Sequence, residues 1–295
     1  MEGLSINPEG TYVDATVGGG GHFSRLLTHL DSKGIAVGID RDPDAIAWCR
    51  SHLGTSRATV ILEQSPFSRI NDVLHSHNIR EIDGLLLDLG VSSHQLAETG
   101  RGFSYMADAA LDMRMDPSQP STAGRLLASM DEEELGRVFG EFGEIRNASR
   151  MARVIVAFRK ARPLDTSADL VRCLKAEYGP NLPVKVIAKV FQAIRIAVNG
   201  ELDELKECLE KAAPFVKKGG RIAVISYHSL EDRIVKTFFR GPTECTCPPH
   251  LPRCQCREKV MFKRINKKII VPSGSEIAQN PRSRSARLRI AEKIS

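Results

Sequence analysis

The run Tyr12-Val13-Asp14-Ala15-Thr16-Val17-Gly18-Gly19-Gly20-Gly21-His22 carries an apolar strand straight into four consecutive glycines, and a helix-like segment, Phe23 to Leu30, follows. Glycine lets a backbone turn that tightly and keeps its N–H groups open to a ligand. A second strand, Gly34-Ile35-Ala36-Val37-Gly38-Ile39, ends in Asp40. An acidic side chain at the tip of the second strand of an α/β unit is placed to bind ribose hydroxyls. The two features together predict a nucleoside-containing cofactor.

A dinucleotide fingerprint needs G-x-G-x-x-G/A, the last small residue letting helix and strand pack closely. Counting from Gly18 or Gly19 puts Phe23 or Ser24 at that position. Asp14, inside the strand, would repel a pyrophosphate but suits an ammonium group. Adenosine with an ammonium group describes S-adenosyl-L-methionine, which is the cofactor expected.

The chain has 295 residues, enough for a full core and for one large or two smaller domains. No apolar run approaches the ~20 residues of a membrane span, and no signal-peptide pattern opens the chain, so the expectation is a cytoplasmic protein with no membrane partner. Seven cysteines, an odd number, do not suggest a secreted disulfide scaffold at this length. The formal charge is +6, and from Arg257 onward eleven Lys and Arg face three Glu. Such clustering is the footprint of a nucleic-acid binder, although a solvated basic tail reads the same way.

Strands and helices alternate through the first ninety residues, the pattern of a parallel sheet with crossover helices. Thr59–Leu62 and Gly84–Leu89 read as the third and fourth strands, Pro43–Leu53 and Phe67–His77 as helices. The next comparable strand is Arg221–Ser226, with a helix over Leu230–Phe239 and a half-buried strand in Arg284–Ile290. The fold class expected is α/β, with a helical insertion between the fourth and fifth strands. Residues 1–104 and 201–295 then form the core and 105–200 the insertion.

Inside the insertion, Asp131-Glu132-Glu133-Glu134 and Thr166-Ser167-Ala168-Asp169 look like capping boxes. Over Val184–Asn199 an apolar face opposes Lys185, Lys189, Gln192, Arg195 and Asn199; over Arg146–Lys160 one opposes Arg146, Arg150, Arg153 and Lys160. A charged stripe is usually a solvated face, but two in succession suggest a subdomain that meets RNA. The long loop after the fourth strand carries Met106, Met113 and Met115, either an adaptable wall or core residues; irregular loops of this length are usually functional.

The motifs Gly18–His22, Asp40-Arg41-Asp42-Pro43, Leu87-Asp88-Leu89-Gly90-Val91-Ser92-Ser93, Leu111–Asp116, Phe191–Arg195, Ser226-Tyr227-His228-Ser229-Leu230-Glu231-Asp232-Arg233 and Asn280–Ser285 stand in this order along nearly the whole chain. In this the chain resembles the bacterial S-adenosylmethionine-dependent small-subunit ribosomal RNA (cytosine-N4) methyltransferases. The resemblance implies a class I, Rossmann-like methyltransferase sheet, and as substrate a cytosine in the decoding region of 16S ribosomal RNA or of the assembled small ribosomal subunit. It places Gly20, Gly21 and His22 on the methionine part of the cofactor, Asp40 on the ribose and Phe67 against the adenine, with Asp88 and Gln95 completing the site. Two departures stand out. The family's His-x-Pro-Val-Leu opening has no counterpart before the first strand, which leads us to expect a shortened start, and His94 stands where proline is common.

A cytosine amine is a poor nucleophile, so the site must offer in-line placement and acceptors for its N–H bonds. Asp88, or the loop carbonyls and hydroxyls of Leu89 to Ser93, occupies the acceptor position, and Asp88 is the catalytic candidate. The base must leave its stack to reach such a pocket, and Ser92, His228 and Ser229 are candidates for touching it; His228 reads equally well as a structural hydrogen-bonder. Cys245, Cys247, Cys254 and Cys256 suggest a metal knuckle, but one residue within each pair is below the usual zinc spacing, and no metal ligand is assigned. A non-catalytic RNA-binding factor and a nicotinamide-linked oxidoreductase are the competing readings.

Overall fold

The computed structural model describes residues 1–92, 95–96, 98–241, 261–266 and 268–295. His94 and the four cysteines from Cys245 to Cys256 lie outside them. The chain divides into two compact units, Met1–Gly90 with Leu202–Ser295, and Val91–Glu201.

The first unit begins with β1 (Thr11–Asp14), α1 (Gly21–Leu27), β2 (Ile35–Asp40), α2 (Pro43–His52), β3 (Thr59–Gln64), α3 (Ile70–Ser76) and β4 (Ile82–Asp88). β1 ends three residues before the reading from alternation, because the Ala15 and Val17 N–H groups turn outward to the carbonyls of Leu86 and Ile39 and open the glycine loop. Likewise α1 starts at Gly21 and stops at Leu27. Asp42 caps α2 by accepting the Asp44 N–H, with Pro43 in the first turn where its missing donor costs nothing. Val13, Val37, Ile39, Leu85 and Leu87 are buried, as expected of parallel strands covered on both faces.

The second unit is helical: α4 (Ala123–Ser129), α5 (Glu132–Glu141), α6 (Ala148–Ala161), α7 (Ser167–Tyr178) and α8 (Val184–Asn199) surround Met113, Leu135, Phe139, Ile155, Leu170 and Phe191. Both predicted capping boxes form, Asp131 with Glu134 and Thr166 with Asp169. Met113 and Met115 are core residues, whereas Met106 is exposed. The basic stripes are largely taken up within the unit. Arg150 pairs with Glu177 and Arg153 with Glu132. Lys189 donates to the Glu144 carbonyl, Gln192 to that of Phe142, and Arg195 forms a two-pronged pair with Glu201.

Asn199, read as part of that outer stripe, is buried. Its Oδ1 accepts the Met115 N–H at 2.8 Å and its Nδ2 donates to the carbonyls of Met113 and Arg195. Asn199→Ala strands those backbone groups and is expected to cost about 1–3 kcal/mol. A urea unfolding midpoint equal to wild type would contradict this.

The chain returns through α9 (Glu201–Ala212), β5 (Val216–Ser226), α10 (Ser229–Arg240), β6 (Phe262–Arg264), α11 (Gly274–Gln279) and β7 (Arg287–Lys293). The sheet order is β3-β2-β1-β4-β5-β7-β6, with β7 antiparallel to both of its neighbours. β7 begins later than the alternating arginines suggested, since Pro281–Ser285 is a 3-10 turn. It is an inner strand, so Arg289 is buried and pairs with Asp232 at 2.6 and 2.9 Å. The order reverses between β1 and β4, and in such sheets ligands bind outside the carboxyl ends of the strands at that point. Among the described residues no helix is long and apolar enough to cross a membrane.

Candidate active site

The glycine loop sits at the carboxyl ends of β1 and β4. Gly18 and Gly20 adopt left-handed backbone, φ 50° and 78°, and Gly20 is the residue that opens α1. A side chain on Gly20 would meet Cys49 Sγ of α2 at 3.1 Å, whereas one on Gly19 or Gly21 would meet nothing within 4 Å. The loop is thus backed by α2 on one side and open on the other.

Three carboxyl groups and a histidine face this loop. Asp40 accepts the Gly18 N–H at 2.8 Å through Oδ2 and the Asp42 N–H at 2.9 Å through Oδ1. Burial pushes its carboxyl up to about 6. Asp14 is 1% exposed; Oδ1 accepts the Thr16 N–H at 3.1 Å, while Oδ2 has no hydrogen-bond partner among the described residues. Burial, opposed by that N–H and by His22, raises its carboxyl to about 7. Asp88 donates its N–H to Thr16 Oγ1 at 2.6 Å, accepts the Tyr227 hydroxyl at 3.1 Å on Oδ1, and lies 3.4 Å through Oδ2 from His22 Nε2. That contact to Asp88 holds the His22 imidazole above its usual range. Burial first, then the Asp88 charge, raises the Tyr227 phenol.

A buried carboxylate oxygen without a partner is costly and calls for a cation or N–H donor. Asp14 Oδ2, next to an open loop and the ribose-type carboxylate Asp40, meets that description. These residues fit S-adenosyl-L-methionine, whose ammonium and ribose are the groups they lack.

Gly20, Gly21, His22, Asp40 and Asp88 therefore come together, and Phe67 packs half-buried on the same core, beyond Ser65, whose N–H donates to the Asp40 carbonyl. His228 caps α10: its Nδ1 accepts the Glu231 N–H at 3.4 Å and its Nε2 lies 3.0 Å from Glu231 Oε1, near enough for an ionic contact but not aligned as a hydrogen bond. Glu231 in turn accepts the N–H groups of Tyr227 and His228. Ser229 is the first residue of α10. Ser92 and Gln95 belong to the second unit, where Ser92 Oγ accepts the Gln95 N–H and Gln95 Oε1 accepts the Ser92 N–H, a reciprocal cap. Tyr227 and Thr16 were not singled out from sequence. Thr16 stands inside the opening motif, and Tyr227 directly after the fifth strand; that position, at the carboxyl end of a sheet strand, was the available clue.

The family model of the MraW methylases matches residues 1–294. The chain belongs to the MraW methylase family. Among its relatives, each named ribosomal RNA small subunit methyltransferase H, that of Symbiobacterium thermophilum is 45% identical over 301 residues, covering 100% of this chain and 94% of the relative. That of Clostridioides difficile is 44% identical over 302 residues, with 100% and 96% covered. That of Geobacter sp. is 46% identical over 300 residues, with 100% and 96% covered. Membership in the MraW methylases decides for an enzyme and against the competing readings of a pure RNA-binding factor or an oxidoreductase. It also accounts for an α/β sheet whose reactive edge combines a glycine loop with acidic side chains.

Proposed function

We propose that this protein transfers the methyl group of S-adenosyl-L-methionine to the exocyclic N4 of a cytosine in the decoding region of 16S ribosomal RNA, free or in the assembled small subunit, and works in the cytoplasm. The observation that carries the reading is the unpartnered, buried Asp14 Oδ2 beside an open glycine loop, in a chain whose family is one of methylases. When bound, S-adenosyl-L-methionine supplies an already activated methyl group. Gly20, Gly21, His22 and Asp14 would hold its methionine part, Asp40 the ribose, Phe67 the adenine, with Asp88 and Gln95 completing the site.

The rest of the task falls to Asp88. Tyr227 holds Oδ1 and His22 stands 3.4 Å from Oδ2; a second lone pair of Oδ2 would accept an N–H of the cytosine amine and localise the amine's lone pair as attack proceeds. N4 gains a methyl group and sheds a proton. That proton is acidic once the amine is methylated, so a carboxylate in contact with solvent suffices to take it. Ser92 and Ser229 are the hydroxyls assigned to the extruded base, with His228 fixing the turn that presents Ser229. Mass-spectrometric mapping of N4-methylcytidine in 16S ribosomal RNA, with and without the gene, tests the reading. An unchanged modification map would end it.

The raised carboxyls set a pH dependence. Asp14 titrates near 7 when folded against an ordinary 3.8, and Asp40 near 6, so the folded state holds more protons than the unfolded one. Their contribution to stability is full below about pH 4 and lost as pH rises towards 7. A cationic ligand prefers the ionised carboxylate, so its affinity rises over the same interval. Calorimetric titration with S-adenosyl-L-methionine should give tighter binding at pH 8 than at pH 5.5; equal affinities would show that Asp14 does not meet the ammonium.

A further inference from the structure

The antiparallel register pairs Ser226 with Arg287, so the start of β7 lies beside the end of β5, at the same edge of the sheet as Asp88 and Tyr227. A bridge between Ile270 and Leu288 brings the preceding segment back to that edge. Between them runs α11, a six-residue helix that buries none of its residues and is capped by Ser273. It joins the two segments that meet at this edge, Ile270 before it and Arg287 after it. Residues 268–287 thus form a lip along the first unit's reactive edge, with Arg264 on the neighbouring strand β6.

The lip does not resemble an ordinary solvated surface. Ile270 and Val271 are 46% and 58% exposed. Arg264, Lys268, Arg282 and Arg284 are exposed around them. The side chains of Arg264, Lys268 and Arg284 make no hydrogen bond or ion pair among the described residues. Pro281 at the start of the 3-10 turn and the buried Ser283, whose hydroxyl donates to the Asn280 carbonyl, hold Arg282 and Arg284 outward on either side. In the helical unit, by contrast, Arg150 and Arg153 already have carboxylate partners.

We propose that this lip is the docking surface that leads the RNA strand to the reactive edge, its cations on phosphates and Ile270 and Val271 against bases. The proposal rests on the reading of the substrate as ribosomal RNA. The unpaired side chains of Arg264, Lys268 and Arg284 suit a polyanion, because binding then releases counterions without first breaking a protein ion pair. Exposed β-branched side chains among them suit unstacked bases, which apolar wedges hold apart. Phosphate contacts position the strand, and apolar ones meet the base.

The test is binding of a 16S ribosomal RNA transcript to the full chain over a range of salt. The double variant Lys268→Glu with Arg284→Glu should bind about tenfold more weakly, and its plot of log affinity against log salt should be flatter by about 2. Val271→Ser should weaken binding with the wild-type slope. Calorimetric affinity for S-adenosyl-L-methionine should stay at the wild-type value in both. Wild-type RNA affinity and slope in both variants would overturn the proposal. So would a flattened slope produced by Arg150→Glu in their place, or a loss of self-association with RNA binding intact. Wild-type protein that binds no RNA would overturn the functional reading itself, a separate outcome.

Discussion

Asp88→Ala should lower the rate of methyl transfer at saturating cofactor by roughly 10²–10⁴-fold, the usual range for a positioned proton acceptor. The side chain is the meeting point of Tyr227 and His22, at 3.1 and 3.4 Å, and on the proposed reading it is the carboxylate that accepts from the amine. Asp88→Asn keeps the shape and the Tyr227 contact but removes the charge, and should fall in the same range. Tyr227→Phe leaves the carboxylate in place and frees one oxygen, so about tenfold is expected, the loss of one hydrogen bond of ordinary strength. Single-turnover rates with 16S ribosomal RNA check all three. An alanine variant within threefold of wild type, with cofactor affinity intact, would remove Asp88 from the chemistry.

The largest effect on stability is expected at Arg289. Its guanidinium meets Asp232 through two bonds inside the sheet–helix interface, and Arg287 adds a more distant contact at 3.7 Å. Arg289→Met leaves Asp232 charged and buried, which costs about 3–5 kcal/mol from a total of about 5–15. Replacing both partners, as in Arg289→Met with Asp232→Leu, removes the orphaned charge and should recover most of that loss. Chemical denaturation of the three proteins decides the matter. A single variant within 1 kcal/mol of wild type would mean that the pair does not tie β7 to α10.

The parts of this molecule that were legible in the sequence are those whose signal is local. The glycine loop, Asp40 and Asp88 each end a strand with an unbroken apolar run, so their shared edge followed from the alternation of elements. Both capping boxes were visible for the same reason. Arg195 and Asn199 were misread as outward-facing, and Arg289 was not singled out, because a polar residue at a polar-looking spacing says nothing of a distant partner. Glu201, the Met113–Met115 backbone and Asp232 supply those partners. β6 has three residues and α11 has no buried face, so neither leaves a periodic trace. Tyr227 became part of the site only when its hydroxyl was found on Asp88.

The interposition of Val91–Glu201 between β4 and β5 also bears on how the chain acquires its structure. Leu85 pairs with Ile222 in parallel register, a closure that has to wait until everything between them has been made. Such distant pairings are slow because chain entropy is lost before any contact repays it. The contacts of the helical unit fall within its own segment and can form early, whereas the cofactor cradle shares its sheet with the late pairing. Nascent or refolding molecules would therefore gather their helices first and become competent to bind a ligand last.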